Sequence, residues 1–152
     1  MLLITLRSDL DKALKLGDSF RVETIRFLLA AIKNYEIDKY PPSVGGTMTD
    51  DDVLSVILKQ VKTHKESIDC FMKAKRDDLV ERETKQLEIL SGYLPKQLSR
   101  EEIKQVINKL IVQMKNEGQE VTFGRLMGEA MKTLKGKADT REVSDLIRGA
   151  LG

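Results

Sequence analysis

Apolar residues recur at intervals of three and four along nearly the whole chain, and no stretch sustains the alternation of a half-buried strand. That period places side chains on one face of an α-helix, so the expected fold class is all-α. The first stripe is Leu3, Leu6, Leu10, Ala13 and Leu14, and Gly17 breaks it. Asp18 or Ser19 then caps a second helix running to about Asp38. Its apolar residues, Phe20, Ile25, Phe27 to Ile32, Tyr35 and Ile37, surround most of the axis. This helix is expected at the centre of its bundle, with one narrow wet stripe through Glu23, Arg26 and Lys33.

Tyr40-Pro41-Pro42-Ser43-Val44-Gly45-Gly46 has the composition of a mobile loop. Thr49 caps a third, long helix whose first turn holds Asp50, Asp51 and Asp52, where the helix dipole favours negative charge. Met48 and Val53 are placed to form a hydrophobic staple. The core face reads Leu54, Ile57, Val61, Ile68 and Phe71 or Met72, interrupted by His64 and Lys65. The period breaks near Asp77, and a fourth helix carries Leu79, Val80, Leu87, Leu90 and Leu94, with Glu83 in the same stripe. The two helices are expected to form an antiparallel hairpin. With a turn near Asp77, His64 and Glu83 are offset by roughly 10 Å along the axis and are not expected to pair.

Pro95 ends the hairpin, and Leu98-Ser99-Arg100-Glu101-Glu102-Ile103 supplies a capping box and a staple for a new helix. The expected domains are residues 1–97, of about four helices, and 98–152, a three-helix bundle. The bundle's stripes run from Ile103 to Met114, from Phe123 to Leu134 and from Val143 to Leu151. Gly124 and Gly128, one turn apart, suggest a close helix contact.

With 41% hydrophobic and 33% charged residues, the composition is that of a globular domain, and the net charge of +2 gives no strong field for nucleic acid. Any RNA contact must therefore rest on local charge. Cys70 is the single cysteine, which excludes an internal disulfide and fits a reducing compartment; the expected location is cytoplasmic. The apolar start at Leu2–Leu6 ends at Arg7 and Asp9, well short of a signal core or a membrane span, so no membrane role is expected. On one helix Cys70 and His64 lie about 120° apart around the axis and cannot form a nucleophilic pair. No phosphate loop, dinucleotide fingerprint or nucleophile elbow is present, so no catalytic residue, metal or cofactor is assigned.

Two basic features remain. Lys135-Gly136-Lys137 lies in a joint between helices, followed by Asp139 and Glu142 at capping-box spacing. Gly136 can take the positive φ that stops a helix, and a doubly basic turn at a helix start can receive a phosphate through free backbone N–H groups and lysine charge. The same residues also read as a well-capped turn with solvated lysines. On the third helix Lys59, Lys62 and Lys65 form a stripe that could follow a phosphate backbone, although Glu66 and Asp69 interleave and the face also reads as simply solvated.

The strings Ala30-Ala31-Ile32-Lys33-Asn34-Tyr35-Glu36-Ile37-Asp38, Lys65-Glu66-Ser67, Ile89-Leu90-Ser91-Gly92-Tyr93-Leu94-Pro95-Lys96-Gln97-Leu98-Ser99 and Leu134-Lys135-Gly136-Lys137-Ala138-Asp139 together resemble the YqeY-like family. The part from about Leu98 onward is also similar to the helical tail domain of the GatB subunit of glutamine-dependent tRNA amidotransferases. The resemblance implies a link to carbon–nitrogen ligation with glutamine as amide donor, in which such a tail helps to hold tRNA while activation and ammonia release occur elsewhere. Members of the family often carry a more basic run where this chain has Thr63-His64-Lys65, which weakens an RNA contact there.

Three functions follow as expectations. The first is a non-catalytic tRNA-binding module using Lys135, Gly136 and Lys137 with Arg125 or Arg141, extended by Lys59, Lys62 and Lys65, with amidotransferase or aminoacyl-tRNA synthesis proteins as further partners. The second is a protein adaptor taking a partner helix in an apolar groove. The third, a free-standing amidotransferase, needs a nucleotide or glutamine site that no motif supplies.

Overall fold

The computed structural model describes residues 1–152 and is all-α, with seven helices: α1 (Leu2–Leu16), α2 (Ser19–Lys39), α3 (Asp50–Lys73), α4 (Asp77–Ser91), α5 (Arg100–Asn116), α6 (Phe123–Leu134) and α7 (Thr140–Leu151). Five of them start on a side-chain cap. Asp18, Thr49, Ser99, Thr122 and Asp139 accept from the backbone N–H of Arg21, Asp52, Glu102, Arg125 and Arg141 respectively. Each such cap contributes about 1 kcal/mol by satisfying an otherwise orphaned donor. The Thr49–Asp52 and Ser99–Glu102 pairs are full capping boxes. The Asp139–Glu142 box expected from spacing is a simple cap, because the Asp139 carboxylate reaches the Arg141 N–H at 2.8 Å and no bond returns from Glu142.

The chain divides into two compact units, Met1–Leu94 and Pro95–Gly152. In the first, α1 packs on α2 and α3, and α3 and α4 form the long hairpin. Its core comprises Leu6, Leu28, Ile32, Val53, Val56, Ile57, Val61 and Leu90, with Met48 packed against it as a staple. The expectation that α2 is buried nearly all round fails: Phe27 and Ile37 are 64% and 53% exposed. Three partner helices, α1, α3 and α4, do not cover the whole circumference of a helix. Leu14, expected in the core stripe of α1, is 47% exposed, and Cys70 on α3 is also exposed.

His64 and Glu83 correct a second expectation. Nδ1 of His64 and Oε2 of Glu83 form a hydrogen bond across the hairpin, with both side chains largely covered. The turn is centred on Lys75 (φ +56), where the Arg76 N–H bonds the Phe71 carbonyl and the Lys75 N–H that of Met72. Counted from Lys75 rather than Asp77, the two residues differ by about three positions, or roughly 4.5 Å, which their side chains span.

The loop after α2 is held by specific bonds. Asp52, 4% exposed, accepts from Lys39 Nζ, from Tyr40 Oη at 2.9 Å and from the Thr49 N–H at 3.0 Å. Asp52 therefore ties the end of α2 to the start of α3, beyond the dipole role its position suggests.

In the second unit α5, α6 and α7 enclose Ile103, Ile107, Met114, Leu126, Ala130, Leu134, Ala138, Val143, Leu146 and Ile147. Gly124 and Gly128 are not at a helix contact: a Cβ at either would meet nothing within 4 Å. Their side of α6 faces solvent. No helix in the chain is long and apolar enough to cross a membrane.

Candidate nucleic-acid interface

Leu134, fully buried, ends α6 and fixes the start of the joint. Lys135 follows as the C-cap, its N–H on the Met131 carbonyl at 3.1 Å. Gly136 turns the chain at φ +79, a left-handed conformation that is costly for residues with a Cβ. The N–H groups of Lys137 and Ala138 both bond the Leu134 carbonyl, at 2.9 and 3.1 Å, and Ala138 enters the core. Asp139 then caps α7.

This arrangement corrects how the joint would meet an anion. The N–H groups of Lys137 and Ala138 turn inward, and the start of α7 already holds the Asp139 carboxylate. Side-chain cations, not a backbone nest, are what the joint presents. Lys135 and Arg141 are exposed, Lys137 is partly exposed, and none of the three side-chain cations has a carboxylate within 4 Å.

The segment before α5 clamps the joint from the other side. Gln97 Nε2 donates to the Gly136 carbonyl at 2.6 Å and to that of Pro95 at 2.9 Å, and the Leu98 N–H donates to the Lys137 carbonyl at 2.8 Å. Leu98 also packs on the core of the unit. Lys96 and Arg100, both exposed and without an ion-pair partner, each lie within two residues of a clamping donor, Gln97 or Leu98. Sequence reasoning passed over Gln97, Lys96 and Arg100 as site residues. The signal available was the Pro95-Lys96-Gln97-Leu98-Ser99 string, but its contact with a turn about forty positions later is a tertiary fact.

The remaining sequence candidates lie elsewhere. Arg125 is in the first turn of α6, ten residues from Lys135, or about 15 Å along the axis. It lines a small polar cavity with Met114, Gln119 and Glu129, at the end of α6 away from the joint. Lys59, Lys62 and Lys65 belong to α3 of the first unit, exposed and without ion pairs, beside the covered His64–Glu83 bond.

A helical domain with a clamped, cation-bearing turn is thus the class this chain represents. It belongs to the YqeY-like family, whose model, described as "Yqey-like protein", matches residues 4–151. Among its relatives is "Altered inheritance of mitochondria protein 41, mitochondrial" of Pyrenophora tritici-repentis, 34% identical over 97% of this chain and 79% of that protein. The proteins of the same name from Kluyveromyces lactis and Saccharomyces cerevisiae (strain YJM789) are 36% and 33% identical, over 87% and 82% of this chain and 71% and 67% of theirs. These names overturn the cytoplasmic expectation, since they place the relatives in mitochondria. A single cysteine cannot form an internal disulfide in any compartment, so that criterion does not separate the two.

Proposed function

We propose that the chain is a non-catalytic tRNA-binding accessory module, with the joint between α6 and α7 as its principal phosphate contact. The supporting observation is the clamp. Lys135, Lys137 and Arg141 carry charge unneutralised by ion pairs at a turn held by the Gln97 and Leu98 hydrogen bonds, and Lys96 and Arg100 are chain neighbours of those clamping residues. Cations on a pre-ordered backbone lose side-chain but little backbone freedom on meeting a phosphate, and each contact releases condensed counterions. The likeness of this unit to the tRNA-holding tail of tRNA amidotransferases supports tRNA as the RNA.

The test is binding of the chain to total tRNA at low and moderate salt, beside a Lys135→Ala/Lys137→Ala variant of unchanged helicity. The expected result is affinity that falls steeply with salt, and a log–log salt slope shallower by about two in the variant. Absence of binding at either salt overturns the proposal.

The adaptor reading keeps one observation in its favour. Ala13, Leu14, Val22 and Phe27 of α1 and α2 line an open, largely apolar groove of about 590 Å³ in the first unit. Groove binding of a partner helix would be indifferent to Lys135 and Lys137.

A further inference from the structure

Phe123 is the one aromatic residue of the second unit, and the core does not use it. It sits at the first position of α6, 37% exposed. The guanidinium of Arg148, from the last turn of α7, lies over its ring at 5.4 Å from the centroid. Arg148 is exposed and forms no ion pair, and its guanidinium meets the ring. A glycine follows each of them in the chain, and a Cβ at Gly124 or Gly149 would meet nothing within 4 Å. Space is therefore open beside each residue on the side of its following glycine.

We infer that Phe123 and Arg148 form a stacking platform for an unpaired nucleobase of RNA. Aromatic rings and guanidinium planes are the two surfaces on which proteins stack splayed bases, and here the guanidinium already lies over the ring. A base can extend this stack on the ring or on the guanidinium. The platform lies at the opposite end of α6 from the joint. Phe123 and Lys135 are twelve positions apart, which puts the two features about 18 Å apart along the helix, a span that one folded RNA covers. The inference rests on the RNA-binding reading above and adds a base contact to its phosphate contacts.

The chain has no tryptophan, so Phe123→Trp creates a single reporter. Emission of this variant would be followed on adding total tRNA, a single-stranded hexa-adenylate and a blunt RNA duplex. Binding by the wild type, Phe123→Leu and Arg148→Gln would be measured alongside, each variant checked for an unchanged unfolding midpoint. Quenching by the single strand and by tRNA is expected, with affinity for the single strand lowered about tenfold in Phe123→Leu and duplex binding unaltered. Arg148→Gln, which leaves the ring in place, is expected to weaken the single-strand complex as well. Suppose instead that the wild type binds tRNA through Lys135 and Lys137, while the indole emission of Phe123→Trp is not quenched and Phe123→Leu binds the single strand as before. The platform is then overturned and the phosphate site stands. Failure of the wild type to bind any of the three RNAs overturns both.

Discussion

The side chain of Gln97 donates to the carbonyl oxygen of Gly136 at 2.6 Å, joining residues 39 positions apart in the chain. This bond and its neighbour from Leu98 to Lys137 make the doubly basic turn a fixed object instead of a free loop. Replacing Gln97 with Ala leaves the Gly136 carbonyl without this donor. The second unit should lose about 1 kcal/mol by urea unfolding, and tRNA affinity should fall although no cation has been removed. Unchanged stability would mean that the clamp does not hold the turn.

Lys75 closes the hairpin between α3 and α4 at φ +56. A side chain bearing a Cβ is penalised in that conformation, whereas glycine is not. Lys75→Gly should therefore stabilise the first unit by about 0.5–1 kcal/mol after the added freedom of its unfolded state is discounted, measured as a rise in the denaturation midpoint.

Asp52 links acid stability to the loop after α2. The Lys39 ammonium, with the Thr49 N–H, holds the Asp52 carboxyl well below the usual carboxylate range, and Asp52 in turn raises the Lys39 ammonium. A depressed carboxylate stabilises the fold above its unfolded value, near pH 4, and that contribution is lost as pH falls through the folded value. A raised ammonium acts in the opposite sense, stabilising fully below its unfolded value near pH 10 and losing that contribution as pH rises through the folded one. Stability of the native chain should thus decline below about pH 4. Asp52→Asn should be destabilised at pH 7 and show a shallower acid decline, checked by thermal unfolding across pH.

The uneven burial of α2 yields a paired test. Ile25 is fully buried and Phe27 is 64% exposed. Ile25→Ala should cost about 2–5 kcal/mol, whereas Phe27→Gln should stay within about 0.5 kcal/mol. A large cost at Phe27 would require a covering partner in solution.

Sequence alone determined the helices, because the three-four period, the caps at Asp18, Thr49 and Ser99 and the breaks at Gly17 and Pro95 act over a few residues. Family membership was likewise legible, in strings whose order survives along the chain. The His64–Glu83 bond was not, since pairing across a hairpin depends on where the turn is centred, and a two-residue error there moved the helices past one another by about 6 Å. Nor did apolar content along α2 reveal that Phe27 lies outside the core, because burial depends on how many neighbours surround a helix. The clamp of Gln97 and Leu98 on Gly136 and Lys137, and the meeting of Phe123 with Arg148, join residues distant in sequence. Only the folding of α5, α6 and α7 around one core brings them together, so only the tertiary structure could decide them.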